Sequence, residues 1–185
     1  MLFRSMKTEY RAIVEAGFVL QIDAPDLGSC RNNQYRDLTD DQFRNIAARN
    51  IEALNAATEG LPGDRMRLHI CWGNYEGPHN FDLPLLKIID LAFKARPQAI
   101  SIEAANPRHD HEWEDLKTIA IPDDKILIPG VIDSTTNFIE HPRLERRMLA
   151  RGVRVERPAK RFQRRGNLVR GPVRCALENH VLEEM

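Results

Sequence analysis

The chain has 185 residues, a length typical of one domain or of a piece of a larger protein. Its hydrophobic fraction of 42% and charged fraction of 29% predict a packed globular protein rather than a disordered one. Because 27 Lys+Arg balance 27 Asp+Glu, the chain has no overall electrostatic field that would favour binding to nucleic acid or a membrane surface. No apolar run reaches the roughly 18 residues of a transmembrane helix.

The N-terminal third predicts a helix, a strand and a second helix. Residues 5–17 form the first helix, which Gly17 ends, and residues 18–23 form an apolar strand that finishes on Asp23. A polar loop containing Cys30 follows. Thr39 then begins a helix as the first residue of a capping box with Gln42, and this helix has apolar positions at helical period (Phe43, Ile46, Ala47, Ile51, Leu54).

The next segments repeat the alternation. The stretches "MRLHICWG" (66–73), "QAISIEAA" (98–105) and "KILIPGVID" (125–133) predict strands. Between them, residues 83–95 predict a strongly apolar helix that Pro97 closes, and residues 110–119 predict a short helix.

This alternation predicts an α/β fold with a parallel sheet, which fits both a doubly wound sheet and a TIM (β/α)₈ barrel. No Gly-rich phosphate loop follows the first strand, which weakens a nucleotide-binding interpretation. Polar residues collect at the carboxyl ends of the strands, where barrel enzymes carry their chemistry. We therefore favour a barrel, here a partial one of about four βα units.

His69 and Cys71 are the first candidate site residues. Residues i and i+2 of a strand share a face, and Glu103 lies near the end of the next predicted strand. Imidazole, thiolate and carboxylate are zinc ligands, and a catalytic zinc site needs three protein ligands and an open position. The alternative is a half-buried histidine beside an ordinary core cysteine.

Several motifs, taken in order, resemble one enzyme family. "VLQIDAPDL", "LHICWGN", "ISIEAANPRHD" and "GVIDSTTNFIEHP" are similar to the catalytic barrel of cobalamin-independent methionine synthase and its shorter relatives. The resemblance covers roughly residues 5–142. Each motif alone is weak evidence for the family, whereas the combination in this order is specific to it.

The resemblance implies a zinc-dependent methyltransferase of methionine biosynthesis. It implies that His69, Cys71 and Glu103 hold Zn²⁺ and that Asp23 holds the amino group of homocysteine. The methyl donor would be 5-methyltetrahydrofolate in its polyglutamate form, and the product would be methionine. Metal coordination would keep the substrate thiol deprotonated at neutral pH.

The sequence also departs from the family pattern. The position of the family's histidine proton donor is occupied by Thr135, and no D-C-G motif supplies a second cysteine ligand. Cys175 stands in a different context, and we do not assign it to the metal. Asp133 closes a predicted strand and is a candidate catalytic residue, with structural hydrogen bonding as the equal alternative. His109 and His111 are predicted to lie in a solvated loop, and Trp72 is predicted to pack away from the ligands.

Charge divides the chain near residue 142. Residues 143–185 carry 12 Lys+Arg against 5 Asp+Glu, whereas residues 1–142 carry 15 against 22. We expect residues 1–142 to be the barrel portion and the Arg-rich segment 143–185 to replace the family's final strand and its cysteine. From this we expect weak zinc affinity, little methyl transfer by the chain alone and a tendency to form homo-oligomers through unpaired strand edges.

Three functional hypotheses remain at this stage. They are the methyltransferase itself, a related zinc-dependent thiol alkyltransferase with another acceptor or donor, and a catalytically silent barrel fragment. None of them involves nucleic acid or a membrane. Three widely spaced cysteines and an N-terminus without the apolar core of a signal peptide predict a reducing cytoplasm.

Overall fold

A parallel sheet organises the computed structural model, which describes residues 2–133, 135–137, 139, 141 and 143. Within these residues the sheet has four strands, namely β1 (Leu20–Asp23), β2 (Met66–Ile70), β3 (Ala99–Glu103) and β4 (Ile126–Gly130). They pair in parallel in the order β1-β2-β3-β4. The predicted mixed α/β architecture is confirmed, and the sheet is consistent with part of an α/β barrel.

Helices of very different lengths precede and connect the strands. In the described part of the chain, the two long ones are α1 (Leu2–Glu15) and α3 (Asp40–Ala57), and three single-turn helices are α2 (Cys30–Asn33), α4 (Ile89–Ala92) and α5 (Trp113–Leu116). Short 3₁₀ turns span Pro25–Leu27, Gly63–Arg65, Leu85–Lys87 and Asp110–Glu112. The predicted boundary at residue 142, the rest of the Arg-rich segment from 144 onward and Cys175 lie outside the described residues.

The ends of both long helices follow the sequence signals. Gly17 adopts a φ of +90° after α1, a conformation that glycine tolerates best, and the Phe18 N–H donates to the Ile13 carbonyl. At the start of α3, the Gln42 N–H donates to Thr39 Oγ1, and the Thr39 N–H donates to Gln42 Oε1. The predicted helix end and capping box are both confirmed.

The apolar segment 83–95 differs from its prediction. Instead of one helix, it forms the 3₁₀ turn Leu85–Lys87 and the four-residue α4, because Ile88 between them has a φ of −129° and ψ of −24°. The Leu85 N–H donates to Glu112 Oε1 at 2.8 Å. This backbone group is therefore paired with a distant side chain, which the local pattern could not reveal.

The core lies on the helix-covered face of the sheet. Leu68 and Ile70 of β2 and Ile100 and Ile102 of β3 are buried there with helix residues such as Phe43, Ala47 and Ile51. The alternate residues of β2, Arg67 and His69, point away from this core. Strand alternation thus places His69 on the polar face of the sheet.

Candidate metal centre

Four polar side chains meet where three neighbouring strands end. Asp23 of β1 pairs in register with His69 of β2, and His69 pairs with Ser101 of β3. Cys71 lies two residues after His69, and Glu103 lies two residues after Ser101, so both are on the same face of the sheet as His69. The parallel register places all four at one edge of the sheet, as the sequence predicts for His69, Cys71 and Glu103.

The distances between these groups are short. One ligand atom each from Asp23, His69 and Cys71 lies within 4.8 Å of the others. Glu103 Oε1 lies 3.9 Å from His69 Nε2. His69, Cys71 and Glu103 are half-buried, whereas Asp23 is exposed. The cluster therefore has a protected side formed by three residues and an open side at Asp23.

The electrostatics of the cluster disfavour an isolated thiolate. Burial raises the pKa of the Cys71 thiol, and the carboxylates of Glu103 and Asp23 raise this pKa further. The Gly73 N–H donates to Cys71 Sγ at 3.3 Å and opposes the rise only in part. Without a cation, Cys71 is therefore protonated at neutral pH and is a poor nucleophile by itself.

Two glycines, Gly28 and Gly73, allow the close backbone contacts around Cys71. The Ser29 N–H donates to the Cys71 carbonyl at 2.8 Å, and a Cβ on Gly28 would clash with that oxygen. Gly73 has a φ of +84°. The loop after β1 can approach the end of β2 because residue 28 lacks a side chain.

The other predicted residues occupy more local environments. Asp133 lies three residues beyond β4, and its Oδ1 accepts hydrogen bonds from the backbone N–H and the hydroxyl of Thr135. These hydrogen bonds agree with a structural role for Asp133, and its catalytic role stays a prediction. Trp72 is 1% exposed, which confirms that it packs in the core.

The prediction of a solvated loop is wrong for His109. Its Nε2 lies 2.9 Å from Asp82 Oδ2 and its Nδ1 lies 3.1 Å from Glu112 Oε2, with the side chains 5–6% exposed. The indole of Trp72 lies 4.6 Å from the imidazole, centroid to centroid. Burial lowers the pKa of His109, but the hydrogen bonds to Asp82 and Glu112 outweigh it and raise the pKa to about 9. His109 is therefore an imidazolium between two carboxylates, whereas His111 is exposed as predicted.

Two further polar residues, not predicted from the sequence, lie beside Glu103. Asn106 is 3% exposed and its amide donates to Glu103 Oε2, and Arg108 donates to Asn106. The signal that could have indicated them is the polar run "NPRHDHE" directly after a strand's carboxyl end.

The comparisons with known proteins give one distant relative. No protein-family model matches the chain, and no solved structure matches it. The chain is 28% identical over 115 residues to 2-hydroxypropyl-CoM lyase from Xanthobacter autotrophicus, a match covering 49% of this chain and 31% of that protein. The chain thus spans less than a third of that relative's length.

The described residues also bear on membrane insertion. Among them, no helix has both the length and the apolar character required to cross a bilayer. Taken together, the comparisons and the fold show an α/β chain with a parallel sheet and a distant similarity to a lyase.

Proposed function

We propose that this chain forms part of a zinc-dependent enzyme that activates a substrate thiol, with homocysteine as the acceptor of a methyl group from 5-methyltetrahydrofolate. The observation that carries the proposal is the convergence of His69, Cys71 and Glu103 at adjacent strand ends. The resemblance of the surrounding motifs to the methionine synthase family supports the choice of acceptor and donor.

The donor set suits zinc. It offers one sulfur, one imidazole nitrogen and carboxylate oxygens, which are the groups that bind Zn²⁺ in proteins. Ligands of one tetrahedral zinc ion lie about 3–4 Å apart, given bond lengths of about 2.0–2.3 Å. The 3.9 Å between His69 Nε2 and Glu103 Oε1 falls within this range, and His69 and Cys71 offer ligand atoms within 4.8 Å of each other.

The four residues then divide into three metal ligands and one substrate-binding residue. His69, Cys71 and Glu103 would hold the ion from the protected side of the cluster. A bound zinc ion would supply Lewis acidity that keeps a substrate thiol deprotonated at neutral pH. Asp23, on the exposed side, is available to pair with a positively charged group of the substrate.

A prediction for Asp23 follows from this arrangement. Asp23→Asn is expected to weaken homocysteine binding to the zinc-loaded protein roughly tenfold to a hundredfold, because a charge-assisted bond to an ammonium contributes about 1.5–3 kcal/mol. Zinc content is expected to stay unchanged. Isothermal titration with homocysteine, together with metal analysis, measures both quantities.

Two controls make this experiment decisive. Asp37→Asn removes an exposed carboxylate elsewhere on the surface and is expected to leave homocysteine affinity unchanged. Metal-free wild-type protein is expected not to bind homocysteine. Equal binding with and without zinc would contradict the proposed function, and unchanged affinity in Asp23→Asn would remove Asp23 from the substrate site.

The similarity to 2-hydroxypropyl-CoM lyase favours a second candidate, in which the zinc-activated thiol is coenzyme M. Coenzyme M carries a sulfonate instead of an ammonium, and the Asp23 carboxylate would repel it. Titration of zinc-loaded wild type and Asp23→Asn with both thiols separates the candidates. Homocysteine binding that depends on Asp23 supports the first, whereas coenzyme M binding that is unchanged or tighter in Asp23→Asn supports the second.

A further inference from the structure

Asn106 has a buried side-chain amide, which is hydrogen-bonded to the candidate metal ligand Glu103 and to Arg108. Its Nδ2 donates to Glu103 Oε2 at 3.0 Å, and its Oδ1 accepts from the Arg108 backbone N–H at 3.1 Å and from Arg108 Nε at 3.0 Å. Two donors on Oδ1 and one acceptor at Nδ2 fix the orientation of the amide. Asn106 can therefore hold one defined oxygen of Glu103.

Arg108 connects this amide to the loop that follows β2. Its Nη1 donates to the Tyr75 carbonyl at 2.5 Å, and its Nη2 donates to the Gly73 carbonyl at 3.3 Å. Gly73 is the residue whose N–H donates to Cys71 Sγ. The guanidinium thus joins the segment that carries Glu103 to the backbone that contacts Cys71, and its planar fork suits several simultaneous acceptors.

The two oxygens of Glu103 consequently have different surroundings. Oε2 is occupied by Asn106, while Oε1 faces His69 Nε2 at 3.9 Å. Groups that hydrogen-bond a metal ligand set its direction and are commonly worth 10–100-fold in metal affinity. A carboxylate anchored at one oxygen presents the other as a single ligand atom.

We propose that Asn106, held by Arg108, is the positioning residue that turns Glu103 Oε1 toward the metal, and that the same Arg108 fixes the Gly73 N–H beside Cys71. This inference rests on the proposed function, since it requires that Glu103 is a ligand.

The test measures metal binding by the full chain in the absence of substrate. Asn106→Ala is expected to weaken Zn²⁺ binding by about 10–100-fold in competition with a chelator. It is also expected to change the d–d absorption spectrum of the Co²⁺-loaded protein, because the geometry of the ligands changes. A purely structural residue would alter thermal unfolding without altering this spectrum.

Asn55→Ala is the matched control. Asn55, like Asn106, has both ends of its amide hydrogen-bonded, with Nδ2 donating to the Lys94 carbonyl and Oδ1 accepting from the Arg96 N–H, at the far end of α3. We expect it to change the thermal midpoint but to leave Zn²⁺ affinity and the Co²⁺ spectrum as in the wild type.

A second variant keeps the proposal testable if Asn106→Ala does not fold. Arg108→Lys keeps the charge but cannot form the same set of bonds, so it is expected to change the Co²⁺ spectrum in the same direction with a smaller loss of affinity. Wild-type affinity and spectrum in both variants would overturn the inference while leaving the zinc site standing. Failure of the wild-type protein to bind Zn²⁺ would overturn the proposed function and the inference with it.

Discussion

Cys71→Ser is expected to lower the zinc affinity of the full chain by at least about a hundredfold. A thiolate is the strongest ligand in the set, and even hydrogen-bonding partners of zinc ligands are worth 10–100-fold. The raised pKa of Cys71 does not oppose this, because a coordinating metal removes the thiol proton outright. Competition between the protein and a chelator of known affinity measures the loss.

Cys30→Ser is the matched control for this experiment. Cys30 is another half-buried thiol, located in α2 and separate from the Asp23, His69 and Cys71 cluster. Its replacement is expected to leave zinc affinity unchanged. If Cys71→Ser bound zinc as tightly as the wild type, the assignment of the metal centre would be wrong.

His109→Ala is expected to reduce the free energy of unfolding by about 3–5 kcal/mol at neutral pH. The substitution removes the cation between Asp82 and Glu112, and breaking a buried ion pair by removing one partner carries a cost of this size. It also removes the ring that packs against Trp72. Chemical denaturation measures the loss, and the exposed His111→Ala, two residues away, is expected to change stability by less than about 0.5 kcal/mol.

The effect of His109 should also depend on pH. Its pKa is raised from 6.5 to about 9 in the folded protein, so the folded state binds the proton more tightly than the unfolded state. The stabilisation is therefore complete below pH 6.5 and is lost as the pH rises through about 9. The stability difference between wild type and His109→Ala is expected to shrink over this interval. A difference that stays constant across it would contradict the imidazolium assignment.

The parts of the fold that were predictable depend on short-range patterns. Strand alternation predicts that His69 and Cys71 share one face, and the parallel strand order predicts that Glu103 lies beside them. Both predictions could be made because they need only neighbouring residues and the βαβ connection. The Thr39–Gln42 capping box and the helix end at Gly17 are likewise encoded within a few residues.

The features that were not predictable depend on distant partners. His109 belongs to a polar run that is typical of a solvated loop, and in the folded protein it is buried against Asp82, which lies 27 residues away in the sequence. The apolar segment 83–95 has the composition of a helix, yet its backbone pairs with Glu112, which also lies 27 residues away. Such contacts join two loops at the carboxyl edge of the sheet, and no local periodicity reports them.

Zinc X-ray absorption spectroscopy of the zinc-loaded, substrate-free protein tests the metal centre most directly. We expect a four-coordinate ion with one sulfur at about 2.3 Å, from Cys71, and nitrogen or oxygen ligands at about 2.0–2.2 Å, from His69, Glu103 and an exchangeable water. A coordination shell without sulfur, or with two sulfurs, would contradict this ligand set.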